Sequence, residues 1–191
     1  MNKSRVLLRV VLWCVFLLVP CAVTAQQLEI HYINVSWGGA VLVKGPDGTT
    51  VLMEAGNTGK GTAYVVPYLK SIGIMPANGL NYTIGGHQHC DHIGGLDEVI
   101  QAGYNVSGKN YYNGSSYASS CVDEWNAAAA TTTAGTPIAM PVGTQILLGN
   151  GAKLTCVARN GSISVNTMPK PEKTAPATKY GGKMVVCQPG I

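Results

Sequence analysis

The run Thr83-Ile84-Gly85-Gly86-His87-Gln88-His89-Cys90-Asp91-His92-Ile93-Gly94-Gly95 constrains this chain more than any other stretch. Three of the four histidines fall within six positions of it, with a carboxylate between the second and third. Imidazole and carboxylate together are the donors that zinc and similar divalent ions prefer. Leu80 to Ile84 reads as a short apolar strand, and Ile93 to Ala102 as a short helix stopped at Gly103. The cluster then sits on a strand-to-helix loop, where a fixed scaffold aims several side chains at one point. The glycines around it permit close approach and unusual backbone angles. A polar turn in which Asp91 caps the helix accounts for Asp91. It leaves His87, His89 and His92 unexplained, so a metal site is the expectation.

His87-Gln88-His89-Cys90-Asp91-His92, continued by Ile93-Gly94-Gly95-Leu96, resembles the metal-binding loop of the metallo-β-lactamase superfamily. The flavour is that of the branch containing the hydrolase-like domain of bacterial DNA-uptake (competence) proteins. The resemblance implies that His87 and His89 serve one metal and that Asp91 and His92 serve a second. It implies zinc as cofactor, with two ions in a complete family member, and Asp91 as the group that orients the attacking water.

Met1 to Ala25 reads as a secretory signal peptide: Lys3, Arg5 and Arg9, an unbroken apolar run from Val10 to Val19, then Val23-Thr24-Ala25 before Gln26. Ten apolar residues are too few for a spanning helix, which takes about 20. Lipidation at Cys21 is disfavoured by Pro20 before it. A secreted or periplasmic protein, with no transmembrane segment after cleavage, is expected.

Charge has to be read without the leader. Removing Lys3, Arg5 and Arg9 from thirteen basic residues leaves ten against nine acidic ones, about +1 rather than +4. No basic field remains to suggest nucleic acid or an anionic membrane. The sequence says nothing about oligomeric state.

Leu28 to Val35 alternates as a strand, with Leu28, Ile30 and Tyr32 as its apolar face and His31 turned away to solvent. Ala40 to Val43 and Thr50 to Met53 follow, joined by the turn Pro46-Asp47-Gly48. This opening also resembles the superfamily, whose members begin with a strand, a glycine-containing loop, a hairpin and a strand ending Asp-Ala-Gly. The matching stretches are Ile33-Asn34-Val35-Ser36-Trp37-Gly38-Gly39 and Leu52-Met53-Glu54-Ala55-Gly56. Asn34 and Gly39 stand where that branch has aspartates. Glu54 stands where an aspartate steadies the metal loop from behind. A glutamate is one methylene longer, and it serves either in that supporting place with altered geometry or as a plain strand-end carboxylate.

Tyr64 to Ile72 reads as a helix with Pro67 in its first turn and Gly73 beyond it. Tyr104 to Tyr117 has no clean period and reads as a strand remnant and a long surface loop. Its tyrosines, Tyr111, Tyr112 and Tyr117, either line a substrate mouth or are simply packed or exposed. Ser120 to Ala130 reads as a helix, with Ser120 and Asp123 spaced as a capping box. Pro141 to Leu148 and Ala152 to Val157 read as a hairpin around Gly149-Asn150-Gly151. Residues 165–191, rich in Pro, Lys and Thr, read as linker or disordered tail with one short strand at Met184 to Cys187. The expected organisation is therefore a leader at 1–25, a metallo-β-lactamase-like domain at 26–164 and a divergent tail at 165–191. The fold class is α/β, the first half of an α/β/β/α sandwich. The mature chain keeps Cys90, Cys121, Cys156 and Cys187. An oxidising compartment permits disulfides between them without dictating the pairing. Because Cys90 is boxed between two proposed ligands and Cys187 lies in the tail, Cys121–Cys156 is the expected bridge and Cys90 the expected free thiol.

The leading expectation is a secreted metal-dependent hydrolase using a zinc-activated water. Its partner is a small-molecule or phosphodiester substrate, the phosphodiester slightly favoured over lactam or ester. The alternative is a catalytically incomplete metal-binding or interaction domain. The resemblance stops before a bridging aspartate and later histidines of the family, so weak zinc binding and poor turnover are expected of this chain. A redox role for Cys90 is disfavoured by the lack of a Cys-x-x-Cys pair.

Overall fold

The structure, a computed structural model, describes residues 26–160 together with the strands Ser162–Ile163 and Lys183–Val186. The leader and most of the 165–191 tail lie outside the described residues. Val, Leu and Ile dominate the segments that become the central sheet. Its six strands lie side by side in chain order: β1 (Glu29–Tyr32), β2 (Val41–Lys44), β3 (Thr50–Met53), β4 (Leu80–Gly85), β5 (Val106–Tyr112) and β6 (Ile138–Ala139). β1 to β3 run antiparallel and turn back through short loops, whereas β3 to β6 are parallel. Parallel neighbours need long crossovers. Here they are α1 (Val66–Ser71) preceded by a π-helical turn at Gly61–Val65, then α2 (Cys90–Ile93) with α3 (Leu96–Gln101), then α4 (Ser120–Ala130).

These helices lie over one face of the sheet and bury Leu42, Leu52, Leu69, Leu80, Ile93, Leu96 and Trp125 in one core. The other face packs Val43, Val51 and Ile84 against a hairpin of β7 (Gln145–Leu147) and β8 (Lys153–Cys156), giving a second, smaller core with Ile146, Leu148 and Leu154. The hairpin turns at Gly149-Asn150-Gly151 as expected, and β11 (Lys183–Val186) runs parallel beside β8. β9 (Ala158–Arg159) pairs with β10 (Ser162–Ile163). The protein is thus of the α/β class, with a mostly parallel sheet between a helical layer and a small β layer. No helix among the described residues is long and apolar enough to cross a membrane.

Four local expectations are corrected. The apolar face read for β1 is the exposed one: Ile30 is 41% and Tyr32 81% exposed, whereas the His31 ring is half-buried. β1 is an edge strand, so Ile30 and Tyr32 reach beyond the hairpin's cover. His31 points to the helical face, where its Nδ1 meets the Tyr68 hydroxyl at 2.8 Å and its Nε2 meets Glu29 at 3.1 Å. The stretch 104–117 holds a seven-residue strand inside the sheet, not a remnant. Its period was hidden by Asn110, which is fully buried because Thr83 Oγ1 donates to its Oδ1 while its Nδ2 donates to Thr132 and to the Gly135 carbonyl. The helix expected over Ile93–Ala102 is broken at Gly94-Gly95 into α2 and α3. α4 is capped by Ser119, whose hydroxyl accepts from Val122 N, so the Ser120/Asp123 capping box does not form.

Candidate metal centre

The parallel strands β3, β4 and β5 all end on the same side, at Met53, Gly85 and Tyr112, and the β1–β2 loop arrives there too. In open α/β sheets, ligands bind outside these carboxyl ends. The histidine turn lies here, between β4 and α2. His87, His89 and His92 are brought together: ring centroids are 4.0 Å apart for His87–His89 and 5.0 Å for His87–His92. Asp91 Oδ2 stands 3.7 Å from His92 Nε2. Burial, then the neighbouring His89 and His92 rings, push the His87 pKa down, which favours the neutral imidazole.

The end of β3 grips this turn from behind. His92 Nδ1 donates to Glu54 Oε2 at 2.8 Å. Ala55 N donates to the His92 carbonyl at 2.8 Å, and Gly95 N to the Gly56 carbonyl at 3.1 Å. The Glu54 carboxylate thus engages His92 Nδ1 and leaves Nε2 free of it. Its backbone takes φ +61°, rare for a residue with a side chain.

Gly39 and Glu54 share one space. A Cβ on Gly39 would overlap Glu54 Oε2 and stand 3.5 Å from His92 Nδ1. The extra methylene of Glu54 thus uses the space that a side chain at 39 would fill. Gly38 is held as tightly, since a Cβ there would run into the Asp91 carbonyl.

Several neighbours went unread in the sequence. Cys90 is bonded to Cys121, so the expected Cys121–Cys156 bridge does not exist; Cys156 is buried and, among the described residues, unbonded. The reason is placement: α4 lies against α2, with the Cα atoms of Cys90 and Cys121 5.5 Å apart. Trp125, four residues along the same face of α4, is 1% exposed and covers both ends of the turn: a Cβ on Gly85 would stand 2.8 Å from its ring and 2.9 Å from Ile93. The segment 113–119 lies over the turn. Ser115 Oγ donates to Oε1 of Gln88, itself 6% exposed, and the Tyr117 ring sits 4.5 Å from that of His89. Of the three tyrosines, Tyr117 thus borders the cluster, while Tyr111 stacks on Tyr82 on the opposite face of the sheet. The alternation of a strand-bound Tyr111 and a loop-borne Tyr117 would have separated them, had the strand been read.

The donor set suits a metal in kind. Two ligands about 2.0–2.1 Å from a tetrahedral ion lie roughly 3.4 Å apart, near the 3.7 Å between His92 Nε2 and Asp91 Oδ2. It falls short in number: among the described residues no group of three or more His, Cys, Asp or Glu side chains closes on one point. The separations present set Asp91 beside His92, and the His87 ring between those of His89 and His92.

No family profile matches the chain, and no curated protein matches it. Among solved structures, a mutant of a flavo di-iron protein from Thermotoga maritima is similar at 15% identity and a TM-score of 0.39, over 62% of this chain and 33% of that one. The chain spans about a third of that protein's length. A likeness of that score decides neither fold nor function.

Proposed function

We propose that this protein is a metal-dependent hydrolase of the metallo-β-lactamase kind, with zinc held at His87, His89, Asp91 and His92. The observation that supports it is the arrangement around His92, whose Nδ1 is taken by Glu54, leaving Nε2 directed to the Asp91 side with His87 close by. Bound zinc would lower the pKa of a coordinated water and polarise the group under attack. The chain's own residues do the rest. Glu54 holds the His92 tautomer with its lone pair on Nε2. Burial keeps His87 neutral, with a lone pair to give. The Asp91 carboxylate orients the water and accepts its proton. Tyr117, over His89, limits approach from the 113–119 side.

The substrate is a small ester-like molecule, phosphodiesters ahead of lactams and carboxylic esters. The near-neutral mature chain argues against long nucleic acids. We place the protein outside the cytoplasm, where the Cys90–Cys121 bridge would persist. A second reading, a metal-binding or interaction domain without turnover, is favoured by the lack of three converging donors among the described residues.

Zinc retained after dialysis and hydrolysis of a chromogenic phosphodiester and a chromogenic lactam test the two readings, with His87→Ala and Asp91→Ala as controls. Retained zinc with turnover lost in both variants supports the hydrolase. Retained zinc without turnover supports the second reading. No zinc and no turnover overturns both.

A further inference from the structure

We propose that the Cys90–Cys121 disulfide is the positioning device of the histidine turn, and that it sets the turn's metal affinity. This rests on the metal reading above, and extends it to two residues outside the donor set. Cys90 stands between His89 and Asp91, one donor from each proposed pair. The turn cannot hold these two side chains in place unaided. α2 is a four-residue helix, and its N-cap, His89, makes no side-chain capping bond. A helix that short is far below the length at which helices persist on their own. Glycine pairs at 85–86 and 94–95 flank it, and the turn keeps its place through contacts with other elements rather than through its own side chains.

α4 supplies the rigidity that α2 lacks. It is eleven residues long, capped at Ser119, and seated in the core by Trp125 and Ala129. Its Cys121 is 3% exposed, and Thr58 Oγ1 lies 3.7 Å from the sulfur, so the anchor point is itself packed from the β3 side. The bridge spans a sequence separation of 31 residues and fastens the centre of the turn to this helix. It also fixes the covering segment, because Ser115 and Tyr117 enter α4 only a few residues before Cys121 and touch Gln88 and His89. Glu54 and the Ala55 N–H secure His92 from the opposite side. The donors therefore hang between two supports: β3 holds His92, and the disulfide holds the His89–Asp91 segment. Two-electron reduction by a dithiol breaks the S–S bond, places a proton on each sulfur and leaves the dithiol as its own disulfide. What remains on the α4 side is packing alone, with Trp125 against Gly85 and Ile93.

The test compares the oxidised protein with the Cys90→Ala/Cys121→Ala double variant and the Cys121→Ala single variant. Cobalt(II) and zinc affinities are measured by competition with a chromophoric chelator, and hydrogen exchange is followed in the metal-free proteins. Loss of a supporting partner around a metal ligand costs about 10–100-fold in affinity, and a loss of that size is expected in the double variant. Exchange should speed up across 87–95, while β3 and β4 keep their protection. Unchanged affinity in the double variant overturns the proposal. So does loss of protection throughout the sheet, which would make the bridge a general staple of the fold. Tighter cobalt binding by Cys121→Ala, with a thiolate charge-transfer band, overturns it as well, since the freed Cys90 would then be a ligand. If the oxidised wild type binds neither ion, the metal reading itself fails, and the wild-type titration alone shows it.

Discussion

On one face of the six-stranded sheet, Leu42, Leu52, Ile93, Leu96 and Trp125 are sealed beneath helices; on the other, Val43, Val51 and Ile84 meet the β7–β8 hairpin, while Ile30 and Tyr32 at the β1 edge remain exposed. The helical side is where the crossovers pass, and crossovers between parallel strands must begin at the strands' carboxyl ends. The histidine turn is the start of one such crossover and the 113–119 segment the start of the next. The hairpin side contributes packing and, among the described residues, touches the covering segment through Asn160, whose Nδ2 donates to the Gly114 carbonyl. The difference teaches that the site is a by-product of the parallel connections, so damage to the helical face should reach the site and damage to the hairpin face should not.

Replacing Trp125 tests this most severely. Trp125→Ala removes a large buried ring from between α4, Gly85 and Ile93 and should cost about 3–5 kcal/mol in stability. It should also release the histidine turn, seen as faster hydrogen exchange at 87–95 in protein that is still folded. Trp125→Phe should cost much less. The indole N–H is buried without a partner among the described residues, so the phenyl ring loses area and none of the hydrogen bonds seen there. Leu154→Ala is the matching cut on the hairpin face. Leu154 is fully buried, and truncation should cost about 2–5 kcal/mol. The comparison breaks if this variant, at a temperature where it is folded, shows the same change in the histidine resonances as Trp125→Ala.

Glu54→Gln sharpens the comparison within the helical side. Packing is kept, and only the carboxylate on His92 Nδ1 is lost. Zinc affinity should fall about 10–100-fold, with the thermal midpoint little changed. An equal loss of affinity and stability would make Glu54 a structural residue rather than a support for His92.

Asp97 is the weak point of the helical face. It is 7% exposed; among the described residues its Oδ1 has no side-chain partner, and its Oδ2 accepts from Gln101 at 3.2 Å. Burial, with the nearby Glu98 and Glu124 charges adding to it, raises its pKa. The folded state then holds this proton to higher pH than the unfolded chain, whose Asp titrates near 3.9. Stability from this group is present below that value and declines as pH rises through the raised folded-state pKa. Asp97→Asn should flatten this decline, raising the midpoint at pH 7 by a few degrees and leaving it alone near pH 3. A midpoint that falls at pH 7 would show that the carboxylate is stabilising.

How much of this was legible follows from where the partners lie along the chain. His87, His89, Asp91 and His92 fall within six positions, so any fold that makes a turn there brings them near one another. Their neighbours come from residues 39, 54, 117 and 121; Gly39 and Glu54 carried a signal through the resemblance, Tyr117 only as one of three tyrosines, and Cys121 none as a partner of Cys90. The cysteine pairing was misread because Cys90 was judged by its neighbours in sequence, whereas the bridge depends on α4 crossing α2. The sheet was readable where strands alternate or are uniformly apolar, as in β2 to β4. It was unreadable in β5, where a buried hydrogen-bond network draws Asn110 inward. In β1 the alternation was correctly read and its faces wrongly assigned. An edge strand has one neighbour, and the layer above it decides which side is covered.

That edge yields the smallest predicted effect. Tyr32 pairs with Val41 across β1–β2, and its side chain is 81% exposed on the hairpin face. Hydrophobic burial is proportional to area removed from water, and little of this ring is removed. Tyr32→Thr keeps a residue that suits strands and should change stability by no more than about 0.5 kcal/mol. Zinc affinity should be unchanged, because the ring lies on the face away from the histidine turn. Denaturant midpoints and a zinc titration on the same sample are sufficient. A loss above about 1 kcal/mol would mean that Tyr32 is covered in solution, and that the hairpin face extends to β1 after all.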